Sequence, residues 1–183
     1  MYRLREQTID FAWPADELAK QAEYATSCYA GLKCGAVQSG ECLVLSSDED
    51  VLFARLLEEA TRALFAYFVK LTSPMEESFV AGAMCGEGHW QGLWGMGERM
   101  CGFSVERKRG GGVLSVERVA MVDRCAFEFL VCHIVAAWFD MSLQPEGNAL
   151  FARRMATAQT QLLRSLAYLA EHSYSKSYTV IGR

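Results

Sequence analysis

The chain lacks an apolar run long enough to cross a bilayer. The longest, Phe129 to Phe139, is interrupted by His133 and bounded by Glu128 and Asp140. A spanning helix needs about 20 apolar residues, so this run is expected as a buried helix. The opening MYRLREQTIDFAW has no apolar h-region, so no secretory signal is expected there. Only 3 histidines are present, leaving few bases for a hydrolase triad. There is no Gly-x-x-x-x-Gly-Lys-Ser/Thr loop. Gly92, Gly95 and Gly97 miss the Gly-x-Gly-x-x-Gly spacing and follow no βαβ strand. Gly102-Phe-Ser104-Val-Glu106 begins like a nucleophile elbow but lacks the second glycine. The 7 cysteines are odd in number and contain no Cys-x-x-Cys, so free thiols in a reducing compartment are expected. Cys125 and Cys132 lie in an apolar helix, where cysteine behaves as a small hydrophobe.

What is present is a core-forming composition: 51% hydrophobic and 22% charged residues over 183 positions, enough for one self-sufficient domain. The net charge of −4 is segregated by sign. Residues 1–98 carry 7 basic and 15 acidic side chains, residues 99–124 carry 6 and 3, and residues 147–183 carry 5 and 1. An overall acidic chain disfavours sequence-specific nucleic-acid binding. The segregation reads first as an ordinary solvated surface, and otherwise as complementary acidic and basic faces suited to head-to-tail assembly. Of 15 glycines, 10 fall between Gly82 and Gly112. Glycine is a poor helix former with no side chain to pack, so this stretch is expected outside the helical core.

Four helical blocks are expected. The first starts at Trp13-Pro14, with Asp16 and Glu17 in its first turn, and stops at Gly31. Residues 31–46 read as a loop with a brief strand at Cys42–Leu45. The second helix is capped by Ser47 or Asp48, carries Leu52, Leu56, Ala60, Ala63, Tyr67 and Leu71 at helical spacing, and ends at Ser73-Pro74. The third, about Val122 to Met141, is apolar nearly all round and belongs at the centre of the fold. The fourth opens at Pro145 and runs to about His172, with Phe151, Met155, Ala158, Leu162, Leu166 and Leu169 as its stripe. Phe103-Ser-Val-Glu-Arg and Leu114-Ser-Val-Glu-Arg flank Lys-Arg-Gly-Gly-Gly and read as an antiparallel hairpin. The fold class is thus α+β, predominantly α. It is a single domain over 1–183, with a helical core of about 14–74 and 120–172, a projecting glycine-rich β-hairpin insert at about 78–119, and a strand-like tail at 173–183.

Cys85, His89 and Cys101 are the weak metal candidates, because zinc takes Cys and His donors. Their spacings, Cys-x3-His and His-x11-Cys, match no standard finger, so no metal and no cofactor is expected. Glu128 and His133 lack the Glu-x-x-His spacing of di-iron bundles, and His133 reads as a hydrogen-bonded core residue. Paired acids such as Glu58-Glu59 and Glu76-Glu77 fit helix faces and starts without a catalytic role. Trp90, Trp94 and Met96 form an aromatic patch that reads equally as a loop folded back on the core or as a protein-contact surface, as Trp and Met are favoured at interface centres. Arg107, Lys108 and Arg109 of the hairpin loop and Tyr178 and Val180 of the tail are the other expected contact residues.

Asp50-Val-Leu-x-x-Arg-Leu-Leu-Glu-Glu-Ala60 with Tyr67, then Trp138-Phe139 followed by Pro145 and Phe151, resembles the helical pattern of head–tail connector or head-completion proteins of tailed bacteriophages, over roughly residues 47–172. The glycine-rich insert departs from compact members of that group. The resemblance implies a non-enzymatic virion protein, a homo-oligomeric ring assembled in the host cytoplasm, with portal or tail components as partners and no membrane. Two other classes stand beside it. One is a cytoplasmic helical module binding a partner through the hairpin and tryptophan loop, and the other is a metal-dependent enzyme.

Overall fold

Ile9, Phe11 and Trp13 alternate with Asp10 and Ala12, and the backbone follows that period of two as an extended strand. The computed structural model describes residues 2–4, 8–34, 44–45, 50–71, 100–106 and 115–173. Strand β1 (Tyr2–Leu4), β2 (Thr8–Pro14) and β3 (Met100–Glu106) form one antiparallel sheet in the order β1-β2-β3. The register sets Tyr2 opposite Phe11 on one side of β2, and Phe103 opposite Phe11 on the other. The first helix therefore starts one residue later than expected. The strand continues through Pro14, and α1 spans Ala15–Cys34. The residue before a proline is biased towards extended backbone, and here that holds Trp13 in the strand.

The expected hairpin between residues 103–107 and 114–118 does not form. Residues 103–106 pair with β2 instead, and residues 116–118 are the first turn of a helix, α3 (Val116–Met141), with Ser115 extended at its N-cap. Val119, Val122, Cys125, Ala126 and Phe129 are buried in α3 at helical spacing, and Glu117 sits in its first turn. That period carries the segment into the helix six residues earlier than its apolar run alone indicates.

Helix α2 covers Asp50–Leu71 and α4 covers Pro145–Ser173. The apolar stripe of α2 is centred on Phe53, Leu56, Leu57, Ala60, Leu64 and Phe68, while Leu52, Ala63 and Tyr67 are half-buried at its margin. Helix α3 packs against α1, α2 and α4, as its nearly all-round apolar surface requires. The sheet lies on this bundle, with Ile9, Phe11 and Trp13 buried and Phe11 edge-on to Phe68 of α2 at 5.4 Å. The protein is thus predominantly helical with a small antiparallel sheet. The glycine-rich stretch, apart from Gly102, lies outside the described residues, as does the tail beyond Ser173.

Gly31 does not stop α1, which runs on to Cys34. A Cβ added there meets nothing within 4 Å. Gly31→Ala is therefore expected to stabilise the fold by about 0.5–1 kcal/mol, by lowering the entropy of the unfolded chain. A thermal melt checks it, with an expected rise in Tm of about 1–4 °C. Residues 44–45 are irregular, not strand. They are tied to α1 by the buried Thr26, whose Oγ1 accepts from the Leu45 N–H at 3.2 Å and donates to the carbonyls of Ala22 and Glu23.

Candidate functional site

Helices α3 and α4 form a hairpin whose two ends differ in chemistry. At the turn, α3 closes in a Schellman arrangement. The Gln144 N–H donates to the Phe139 carbonyl at 3.0 Å and the Leu143 N–H to the Asp140 carbonyl at 3.2 Å. This geometry places Leu143 in the left-handed region, with φ 55°. Glycine is the usual occupant, since a Cβ there costs roughly 1–2 kcal/mol. The leucine side chain is 88% exposed, so burial does not offset that cost. Met141, the last residue of α3, is 55% exposed, and Leu150, in the second turn of α4, is 45% exposed. Asn148 fastens the start of α4 to the turn by donating from Nδ2 to the Ala136 carbonyl at 3.2 Å.

Behind this corner lies a solid aromatic cluster. Phe139 stacks on Phe151 at 5.5 Å and meets Tyr29 and Trp138 edge-on at 4.8 and 4.9 Å. The exposed leucine therefore projects from a rigid base.

Some twenty positions earlier, α3 presents Arg118, Met121, Arg124 and Cys125 along one stripe, and α4 presents Gln161, Arg164 and Ser165. Spacings of three and four residues put each set on one helix face. The two faces line an open cleft of about 490 Å³, which continues past Glu117 and Ala120. Cys125 Sγ and Ser165 Oγ approach to 4.0 Å across it. At 1.5 Å rise per residue, cleft and corner lie roughly 30 Å apart along the hairpin. Arg118 and Arg124 of one basic segment thus come beside Arg164 of the other, because antiparallel packing brings the start of α3 beside the later part of α4.

Two core groups on α3 have shifted titration. Burial pushes the Cys132 thiol up to about 11, against a downward pull from Arg154, so it stays protonated at neutral pH. Burial also holds His133 below its ordinary pKa, with Glu59 acting weakly against it. His133 is half-buried beside the Phe129 ring at 5.7 Å, and its buried Nδ1 has no hydrogen-bond partner. Cys101 is fully buried in β3, where its thiol donates to the Trp13 carbonyl at 3.5 Å. Among the described residues, no three His, Cys, Asp or Glu side chains gather as a metal site.

Cys85, His89, Trp90, Trp94, Met96, Arg107, Lys108, Arg109, Tyr178 and Val180 lie outside the described residues. Among the described residues, no helix is long and apolar enough to cross a membrane. The residues that sequence reasoning missed are Leu143 and the trio Arg118, Arg124 and Arg164. The signal for Leu143 was a two-helix connection, Ser142-Leu-Gln144, with no glycine in it. Protein-family models, curated proteins and solved structures show no match to the chain.

Proposed function

We propose that the protein is a structural assembly subunit of the head–tail connector type, non-enzymatic, contacting neighbouring copies head to tail in a ring and meeting portal or tail components in a virion. The observation that carries this reading is the exposed, left-handed Leu143 at the α3–α4 turn, with Met141 and Leu150 exposed in the adjoining helix ends. A leucine held in a left-handed conformation, with its side chain in water, is unfavourable for the isolated fold. Exposed apolar groups set on a rigid base fit the centre of a protein contact. The segregated charge of the sequence supplies the complementary signs that a head-to-tail contact uses. The second reading, a module binding one partner chain, draws on the same corner.

Light scattering of the purified chain across concentration and salt tests the proposal. Oligomers are expected, and Leu143→Asp is expected to return them to monomers with helical circular dichroism unchanged. A wild-type chain monomeric under all conditions overturns self-assembly and leaves the single-partner module. Leu143→Gly provides the matching stability measurement. It is expected to raise the unfolding free energy by about 0.5–1 kcal/mol, by relieving the left-handed strain, while weakening association.

A further inference from the structure

We propose that the cleft between α3 and α4 is a binding site for a small phosphorylated ligand. Its phosphates would be held by Arg118, Arg124 and Arg164, and its organic part would lie against Met121 and Cys125. The inference stands on the cleft alone and does not depend on the assembly reading.

Three guanidinium groups on two facing helix stripes converge on one cleft. Each is a planar fork of donors that matches the oxygens of a phosphate in pairs and stays charged at every physiological pH. Among the described lining residues the acid is Glu117, on the outer extension beside Arg118. Anionic charge is therefore best accommodated towards Arg124 and Arg164.

The remaining lining narrows the class. The Ser165 hydroxyl already donates to the Gln161 carbonyl at 2.9 Å, so the Gln161 amide is the neutral side-chain donor left for the ligand. Met121 and Cys125 provide apolar surface between the arginines. A volume of about 490 Å³ exceeds the needs of a lone inorganic anion and falls within the range of small-molecule sites. A long polyanion is disfavoured because the chain as a whole carries −4 and gains little from non-specific attraction. A compact molecule with at least two phosphate groups and a small apolar portion suits the described lining.

Calorimetric titration of the full chain with pyrophosphate, ADP and citrate tests the assignment. Saturable binding of pyrophosphate and ADP is expected, with ADP tighter and citrate weaker than pyrophosphate. Arg124 and Arg164 are exposed, so Arg124→Ala/Arg164→Ala should keep the native circular dichroism spectrum while weakening ADP at least about tenfold. Met121→Glu, which places a carboxylate in the cleft and leaves the arginines intact, should weaken ADP similarly. Absence of saturable binding up to about 10 mM ligand overturns the site. Unchanged affinity in the double-arginine variant overturns its location, and citrate binding as tightly as pyrophosphate overturns the phosphate class.

Discussion

Replacing Phe139 by alanine is expected to lower the unfolding free energy by about 3–5 kcal/mol, the usual range for truncating a buried aromatic. Phe139 is fully buried and lies where three helices meet. Tyr29 of α1 contacts its ring at 4.8 Å, Trp138 of α3 at 4.9 Å and Phe151 of α4 at 5.5 Å. The start of α4 is shaped to it as well, since a Cβ on Gly147 would fall 2.6 Å from Phe139 Cδ1. None of these neighbours collapses easily into the vacated space, because each is anchored on a different helix. The loss therefore combines transfer and cavity terms and falls at the upper end of core substitutions. Urea denaturation checks it: the midpoint should fall with an unchanged slope, as for a stability change without a change in surface exposed. Val116→Ala, at an exposed position on α3, should shift the midpoint by no more than about 0.5 kcal/mol equivalent.

The second large effect is expected at Gly102, which the register pairs with Ala12. A Cβ added there would run into the Phe11 carbonyl oxygen and lie 2.7 Å from the Ala12 Cα. Both obstacles are backbone of the central strand, so no rotamer change relieves the clash. Glycine inside a strand often marks such a close approach of backbone. Gly102→Ala is expected to cost about 3 kcal/mol, the upper end of overpacking penalties, by forcing β3 away from β2. In a chain of this length that corresponds to a fall in Tm of about 6–12 °C. Gly31→Ala, the same substitution at an open helical site, is expected to move Tm in the opposite direction. A Gly102→Ala protein that melts like the wild type would show that the two strands are not in contact at this register.

The helices were legible in the sequence because their information is local. Pro145 opens α4, the apolar stripe of α2 recurs at helical spacing, and α3 is apolar all round. The sheet was not, because its pairing is decided between distant segments. The Ser-Val-Glu triplet makes the point. Ser104 to Glu106 is strand, whereas Ser115 caps a helix whose first turn holds Val116 and Glu117. Identical residues take either form, and what decides is the neighbouring apolar pattern together with the available partner. No strand was expected at Ile9, Phe11 and Trp13, although their alternation is present in the sequence. The candidate site divides in the same way. The basic bias around residues 99–124 and 147–183 could be read directly, but the juxtaposition of Arg124 with Arg164 needed the helical hairpin. Leu143 stood out only once its backbone dihedral was known.

The pairing of β2 with β3 also orders events during synthesis. Trp13 and Cys101 are neighbours across the sheet yet lie 88 positions apart in the chain. At translation rates of roughly 5–20 residues per second, β2 emerges about 4–18 s before its partner strand. During that interval one edge of β2 is open, and Ile9, Phe11 and Trp13 have no completed sheet to sit in. The α3–α4 hairpin has no comparable delay, because its two helices are joined by only a short turn. Strand β2 is therefore made well before it is locked, and the nascent chain is exposed to mispairing along that open edge.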